Sequence, residues 1–195
     1  MFFLVRHATH DLVDRVLCGR MAGVSLGEEG RAQARRLAER LSRERIAALY
    51  TSPLERARET AAPIAERLGL EARPCDAINE IDLGEWAGKA FAALAEDPRW
   101  SSWNEARSVS RPPGGESMLE AQARVIAGLE ALRAAHPDAA VALVSHSDVI
   151  KAALTYCLGL PIDGYRLIEI SPGSISSVAV GDWGAKVMSI NEVPA

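Results

Sequence analysis

The sequence predicts an α/β fold of three layers, α/β/α, in which a mostly parallel central sheet is flanked by helices. Short apolar runs alternate along the chain with longer stretches whose apolar residues recur at helical spacing. That order is typical of strand–helix–strand units, which place their strands in parallel. Two of the apolar runs are also continuous rather than alternating, as in strands that helices cover on both faces.

Size and composition predict one globular domain over residues 1–195, with a loop-and-helix insert at about 88–115. The chain is 48% hydrophobic and 25% charged, with a formal net charge of −4, which disfavours nucleic acid or an anionic membrane as a partner. No apolar run has the length of a signal sequence or a membrane span. No CxxC motif occurs, so we expect a reducing cytoplasm for the three cysteines Cys18, Cys75 and Cys157.

The first predicted elements are two strands separated by a helix. The apolar run Phe2 to Val5 predicts the first strand, and Ile46 to Thr51 predicts the second. Between them, Arg31 to Leu41 carries apolar residues at helical spacing.

The second predicted helix has a start and a stop in the sequence. Ser52 suits the cap position, Pro53 suits the first helical position, and Glu55 completes a capping box. Gly69 marks the end of the apolar stripe and suits a helix stop.

The second half repeats the pattern. A second capping box, Ser117 to Glu120, opens a helix that we expect to run to about Ala135. The run Ala140 to Val144 predicts a strand, and a helix follows from about Asp148 to a stop at Gly159. Three shorter strands are predicted in the last third, at Arg166–Ile170, Ser174–Val180 and Lys186–Ile190.

Polar side chains follow three of these strands. The first strand runs into Arg6 and His7, the second into a helix that carries Arg56 in its first turn, and the third into His146. Ligands of open α/β sheets bind beyond the carboxyl ends of the strands, where two helix N-termini would also point. If the three strands are neighbours, these four side chains converge on one rim.

The four side chains are suited to a phosphoryl group. Arginine offers phosphate oxygens a planar fork and keeps its charge. A histidine among arginines is pushed toward the neutral imidazole, whose free nitrogen can attack phosphorus. The sequence therefore makes His7 a candidate nucleophile, and His146 a candidate donor to a phosphate oxygen.

A leaving alkoxide also needs a proton, and a carboxylic acid near the phosphate is the expected donor. The segment Asn79 to Gly88 holds three candidates, Glu80, Asp82 and Glu85. The chemistry by itself does not choose between them.

Together these segments resemble the histidine phosphatase superfamily, which includes cofactor-dependent phosphoglycerate mutases. Leu4 to Ala8 is similar to its LVRHG/A motif, and Ser52 to Ala61 to its SPLxRAxxTA helix. Asn79 to Gly88 resembles its acidic-loop motif, and Val144 to Ser147 its second-histidine motif. Pro113 to Ser117 matches a loop often found before the long helix. The motifs occur in the family's order.

The resemblance implies a phosphoglycerate mutase-like fold and a role for each candidate. His7 is the nucleophile that becomes phosphorylated, and Glu80 is the proton donor and later the base for the attacking water. No metal and no other cofactor is implied. The phosphate is held by Arg6, His7, Arg56 and His146.

The resemblance covers roughly Phe2 to Gly159, with departures near the nucleophile. Ala8 replaces the usual glycine, and His10 and Val13 stand where a threonine and an asparagine are expected. The family's asparagine joins the phosphate pocket, so one accessory phosphate contact must differ here. Arg20 and His10 are candidates to supply it.

The leading hypothesis is a phosphomonoester hydrolase that acts through a phosphohistidine on a small phosphorylated metabolite, as a monomer or homodimer. One alternative is a cofactor-dependent phosphoglycerate mutase, although mutases of this kind are usually longer and carry extra basic residues. The other is a phosphate-binding module without catalysis, which the intact His7, Glu80 and His146 disfavour.

The segment Ala87 to Gly115 is expected to set specificity, but no substrate motif is recognisable in it. Its residues Trp100 and Trp103 either line the substrate entrance or pack in the core. Glu116, just beyond, either touches the site or only precedes a helix.

Overall fold

A computed structural model describes all 195 residues, which form one six-stranded sheet with helices on both faces. The strands are β1 (Phe2–Arg6), β2 (Ile46–Thr51), β3 (Ala72–Pro74), β4 (Ala140–Ser145), β5 (Ile175–Gly181) and β6 (Gly184–Glu192). The α-helices are α1 (Glu28–Leu41), α2 (Glu55–Leu68), α3 (Phe91–Leu94), α4 (Pro98–Glu105), α5 (Met118–Ala135) and α6 (Ser147–Cys157). None of these helices is long and apolar enough to cross a membrane.

The sheet order is β3-β2-β4-β1-β5-β6. The first four strands in this order are parallel, and β5 and β6 are antiparallel to their neighbours. Arg6 of β1 pairs with Ser145 of β4, and Thr51 of β2 pairs with Val144 on the other side of β4. The three strands that carry the polar ends are therefore adjacent, and their carboxyl ends meet.

The residues of β1 show why both faces of the sheet are apolar. Phe3 and Val5 pack in a cluster that includes Leu37 of α1 and Ile64 of α2. Leu4 lies between them in sequence and belongs to a second cluster, which α5 and α6 share. Because successive strand residues point to opposite faces, a continuous apolar run fills both interfaces. The predicted three-layer fold is confirmed.

The helix boundaries confirm most of the predicted starts and stops. Ser117 and Glu120 form the predicted capping box, with both reciprocal hydrogen bonds present. Gly69 ends α2 in the left-handed conformation, with φ of 64°, and Gly159 follows α6 with φ of 65°. α1 begins at Glu28, three residues before its predicted start.

The capping box predicted at Ser52 and Glu55 is wrong. α2 begins at Glu55, its cap residue Leu54 makes no side-chain cap, and the Glu55 carboxylate accepts from the Gly23 N–H at 2.8 Å. Ser52 is fully buried at the end of β2, and its hydroxyl contacts His146 instead. A tertiary contact has displaced the local one.

The strand predicted at Arg166–Ile170 is also wrong. A 3₁₀-helix occupies Ile162–Leu167, and Ile168 and Ile170 then lie buried in the core without pairing. Both edges of β1 are already occupied, by β4 and β5, so this segment cannot pair with β1. β3 was not predicted, since it has only three residues and ends in proline.

The segment 88–115 contains the short helices α3 and α4, and its tryptophans pack inward. Trp103 is buried, and the ring of Trp100 meets that of Trp86 edge to face, with centroids 5.4 Å apart. Neither Trp100 nor Trp103 lines the cavity described below, whereas Phe91 of the same segment does.

Candidate active site

A cavity of about 140 Å³ lies at the carboxyl ends of β1, β2 and β4. Arg6, His7, Arg56 and Glu80 form part of its wall. His146 is fully buried behind this wall, with its ring centroid 5.2 Å from that of His7. The structure thus brings together the five residues that the sequence singled out.

His7 lies directly after β1, and its hydrogen bonds define its tautomer. Nδ1 lies 2.8 Å from the Ala8 carbonyl oxygen, which can only accept, so Nδ1 carries the proton. Nε2 accepts from Arg56 Nε at 3.3 Å. Nε2 is therefore unprotonated, and the lone pair that accepts from Arg56 is the feature that a nucleophilic nitrogen needs.

The surroundings keep His7 neutral. Burial lowers the pKa of His7 well below its ordinary value, and the charges of Arg56 and Arg6 lower it further. The residue is only 4% exposed, so water does little to offset those charges. Near neutral pH the ring is an uncharged imidazole with Nε2 unprotonated.

The two arginines each hold an N–H group without a protein partner. Arg56 donates from Nη2 to the Gly19 carbonyl at 2.8 Å, while its Nη1 is buried and unpartnered. Arg6 donates from Nη1 to the Ile170 carbonyl at 2.6 Å, while its Nε is buried and unpartnered. Buried donors of this kind are rare unless a ligand satisfies them, and phosphate oxygens have suitable acceptor geometry.

His146 is held by a chain of side-chain hydrogen bonds. Its Nδ1 accepts from Arg56 Nη2 at 3.2 Å, so its proton lies on Nε2, which donates to Ser52 Oγ at 2.8 Å. Ser52 in turn donates to Asn79 Oδ1 at 3.1 Å. Burial lowers the pKa of His146 well below its ordinary value, and the charges of Arg56 and Arg6 lower it further. Sequence reasoning gave Ser52 only a helix-capping role and Asn79 no role, although both lie inside the recognised motifs.

Of the three competing acids, only Glu80 reaches the cavity. Its Oε2 lies 3.5 Å from His146 Nδ1 and 3.9 Å from Arg56 Nη2. Asp82 turns toward Arg20, at 3.7 Å, and Glu85 is exposed.

The protonation of Glu80 is unusual for a carboxyl group. Burial raises its pKa to about 7; the charge of Arg56 opposes this rise and the charge of Asp148 adds to it. A substantial fraction of Glu80 is therefore protonated at neutral pH, as a proton donor must be.

A network behind the acidic loop fixes the backbone around Glu80. Arg20 Nε donates to the Glu80 carbonyl at 2.7 Å, and its Nη2 donates to Glu116 at 3.2 Å. Arg124 of α5 donates to Glu116 and to the carbonyls of three loop residues, Asp76, Ala77 and Asn79. Arg20 and Glu116 therefore lie behind the loop and not on the cavity wall.

The cavity wall includes two carboxylates that the sequence did not mark, Asp14 and Asp148. Asp148, in the first turn of α6, forms a 2.6 Å ion pair with Arg107. Arg107 is itself buried, over the ring of Tyr165 at 3.9 Å. It comes from the irregular insert, where no periodicity marks a functional position. No group of three or more His, Cys, Asp or Glu side chains is arranged to hold a metal ion.

Comparison with known proteins gives one family. The model of the histidine phosphatase superfamily (branch 1) matches residues 2–193. Phosphoserine phosphatase 1 of Hydrogenobacter thermophilus is 37% identical over 193 residues, covering 96% of this chain and 90% of that protein. Glucosyl-3-phosphoglycerate phosphatase of Mycobacterium tuberculosis is 34% identical over 187 residues, covering 89% and 83%.

Solved structures show the same architecture. YhfR of Bacillus stearothermophilus superposes with a TM-score of 0.92 at 26% identity, covering 98% of this chain and 96% of that one. The vanadate complex of mycobacterial glucosyl-3-phosphoglycerate phosphatase has a TM-score of 0.88 at 28% identity, covering 98% of each chain. These likenesses match the fold and the family predicted from the motifs.

Proposed function

We propose that this chain, which belongs to the histidine phosphatase superfamily (branch 1), hydrolyses a small phosphorylated metabolite through a phosphohistidine on His7. Its relatives named above are phosphatases, which favours hydrolysis over phosphoryl transfer to a second acid. The observation that carries the proposal is the unprotonated Nε2 of His7, which lies beside Arg56 in the cavity that Glu80 also lines.

In the first step, His7 Nε2 attacks phosphorus and the bond from phosphorus to the ester oxygen breaks. Glu80 gives its proton to the leaving oxygen, so the alcohol departs neutral. The unpartnered N–H groups of Arg6 and Arg56 bind the phosphoryl oxygens and stabilise their charge in the transition state. The hydrogen bond from His7 Nδ1 to the Ala8 carbonyl supports the positive charge that the phosphorylated ring acquires.

In the second step, water replaces the alcohol. Glu80, now a carboxylate, takes a proton from the water as its oxygen attacks phosphorus, and the N–P bond breaks. Inorganic phosphate leaves, His7 regains its neutral form with Nε2 free, and Glu80 is protonated again. One ester bond and one water molecule have been consumed.

His146 acts on the phosphoryl group through Nδ1. Since its Nε2–H stays on Ser52, donation from Nδ1 requires the ring to take up a second proton, which comes from solvent as the substrate binds. A bound phosphoryl group carries about −1.5 to −2 charges, which favours that imidazolium. His146 is thus neutral in the free enzyme and cationic with phosphate bound.

The substrate is a small molecule, in keeping with a cavity of about 140 Å³. Phosphoserine and glucosyl-3-phosphoglycerate, named in two relatives, are the first compounds to test. We also propose that the chain forms one domain, because the two apolar clusters share a single sheet. A reducing cytoplasm suits its three free cysteines, and the enzyme works without a metal, as a monomer or a homodimer.

Phosphate release from p-nitrophenyl phosphate, with a chelator present, tests this function. We expect the wild type to turn over and His7→Ala to be inactive. His136→Gln is the matched control, because His136 does not line the cavity and lies with Met1 and Ala139 near the amino ends of β1 and β4. An inactive wild type, or an active His7→Ala, would refute the proposal. Isomerisation of 3-phosphoglycerate with a trace of 2,3-bisphosphoglycerate would indicate a mutase instead.

A further inference from the structure

His10 lies three residues after His7, and the proposed steps do not use it. Its imidazole stacks on that of His7, with ring centroids 5.4 Å apart and planes inclined by 24°. His10 is 8% exposed and lines the same cavity as Arg6 and Arg56. A second imidazole therefore lies against the group that we propose to be phosphorylated.

The ring of His10 is not anchored by the protein. Nδ1 is buried without a hydrogen-bond partner, so Nε2 is the ring nitrogen left to face the cavity that His10 lines. A buried polar ring without partners costs free energy, which an apolar side chain of similar size would avoid. A ligand bound in the cavity can supply the partner that the protein does not.

The charge and tautomer of this ring follow from its surroundings. Burial, with the charges of Arg56 and Arg6, lowers the pKa of His10 to about 4, so the ring is neutral near pH 7. A neutral imidazole carries one proton, and an unsatisfied buried N–H is rarer than an unsatisfied acceptor. The proton therefore belongs on Nε2, which makes this atom a neutral donor toward the cavity.

We infer that His10 is a further substrate-binding residue, whose Nε2–H donates to an oxygen of the phosphoryl group at His7. This inference rests on the proposed function. The phosphoryl group is the expected partner of His10, because the His10 ring lies against His7 and beside both arginines. The cavity wall beyond it, at Val13 and Leu17, offers apolar side chains to the rest of the substrate.

Two variants of His10 separate hydrogen bonding from packing. His10→Gln places an amide N–H near the position of Nε2, whereas His10→Leu fills similar space without a donor. We expect His10→Leu to raise the inhibition constant of orthovanadate about 10- to 100-fold, as for the loss of one hydrogen bond to a charged group. His10→Gln should stay within about 3-fold of the wild type, since it keeps such a bond. Wild-type vanadate inhibition in His10→Leu, or equal losses in both variants, would overturn the inference.

A measurement on the unmodified protein guards against misfolded variants. In ¹⁵N-histidine-labelled protein, we expect the Nε2 resonance of His10 to be that of a protonated nitrogen and to shift when vanadate is added. An unprotonated Nε2, or a resonance that vanadate leaves unchanged, would contradict the inference. If the wild type neither turns over nor binds vanadate, the proposed function fails as well. If the wild type and His7→Ala behave as proposed while His10→Leu matches the wild type, only the role of His10 fails.

Discussion

Within one cavity, the pKa values of His7 and Glu80 are shifted in opposite directions. The pKa of His7 is lowered well below its ordinary value, and the pKa of Glu80 is raised to about 7. Pairs of groups whose pKa values are pushed apart mark an acid and a base. Here burial acts on both groups, and the arginines add to it at His7 but oppose it at Glu80.

The pH profile of kcat/KM should follow Glu80. The acid must be protonated, and its pKa is about 7, so kcat/KM should fall as pH rises above about 7. The pKa of His7 is lowered well below its ordinary value. The rise of kcat/KM with pH should therefore occur at a pH below the ordinary pKa of histidine. In Glu80→Gln the fall near pH 7 should disappear. Ionisation of the substrate affects both enzymes alike, so a fall that persists in Glu80→Gln would contradict this assignment.

The leaving group should decide how much activity the variant Glu80→Gln loses. General acid catalysis contributes about 10²- to 10⁴-fold, which an alkyl phosphate needs in full. p-Nitrophenolate leaves readily without a proton, so phosphorylation of the enzyme by p-nitrophenyl phosphate should suffer much less. Single-turnover kinetics with both substrates measure the two losses. Equal losses would show that Glu80 does not protonate the leaving group.

At the scale of single residues, the sequence predicted which residues lie at the site better than it predicted the contacts that they make. Four of the five candidate side chains converge as expected because each ends or follows a strand or opens a helix at one rim, whereas Glu80 lies in a loop. Ser52 was misassigned because its local sequence suits a helix cap, whereas burial beside His146 gives its hydroxyl a different partner. Asp148 and Arg107 meet through the fold alone, 41 residues apart.

Among the elements, the segment between β3 and Gly88 depends most on contacts from elsewhere. Ser52 links its Asn79 to His146, and Arg124 of α5 holds three of its carbonyls. The segment has little regular structure of its own, so these contacts set the position of Glu80. Neither link was predictable, since helical spacing and capping patterns do not report contacts between elements.

Ser52→Ala should lower both activity and stability. The change leaves His146 Nε2–H without its partner, which costs roughly 1–3 kcal/mol of unfolding free energy. It also frees His146 to turn, so kcat/KM should fall about tenfold or more. Urea unfolding and steady-state kinetics measure these effects. Ser42→Ala, which removes an exposed hydroxyl bonded to the Glu39 carbonyl, should change neither; a similar profile for the two variants would count against the link.

Arg124→Ala should loosen the acidic loop. Since Arg124 bonds Glu116 and three carbonyls, its loss should cost roughly 1–3 kcal/mol of stability and lower kcat/KM. Arg133→Ala is the control on the same helix, because its ion pair with Asp182 is exposed and should be worth less than about 0.5 kcal/mol. Equal effects of the two variants would mean that the loop does not depend on Arg124.

The whole molecule combines a formal charge of −4 with a cavity whose wall carries two arginines. Apolar runs were enough to predict three layers and five of the six strands, and strands buried on both faces left the clearest pattern. The strands of the last third were harder to predict, because apolar residues there pack in the core both within strands and outside them, as Ile168 and Ile170 do. The positive charge at the site could be predicted from the positions of Arg6 and Arg56 in the sequence, but not from the overall composition.

Phosphate should stabilise the folded chain as a whole. A ligand that binds only the native state adds about 2.7 kcal/mol at 100 times its dissociation constant, so Tm should rise with phosphate concentration. Arg56→Ala should abolish the rise, because it removes a guanidinium that lines the cavity. Thermal unfolding in phosphate and in sodium chloride of equal ionic strength separates binding from salt effects. An equal rise in Arg56→Ala would place the phosphate elsewhere.

Rapid mixing with p-nitrophenyl phosphate, followed by an alkaline quench and peptide mass spectrometry, tests the phosphohistidine directly. The mechanism predicts one phosphoryl group on the peptide that contains His7, appearing within a single turnover and then decaying. The same group should be absent from His7→Ala and present in His136→Gln. Phosphate release without any phosphorylated His7, or a phosphoryl group on another residue, would contradict the mechanism.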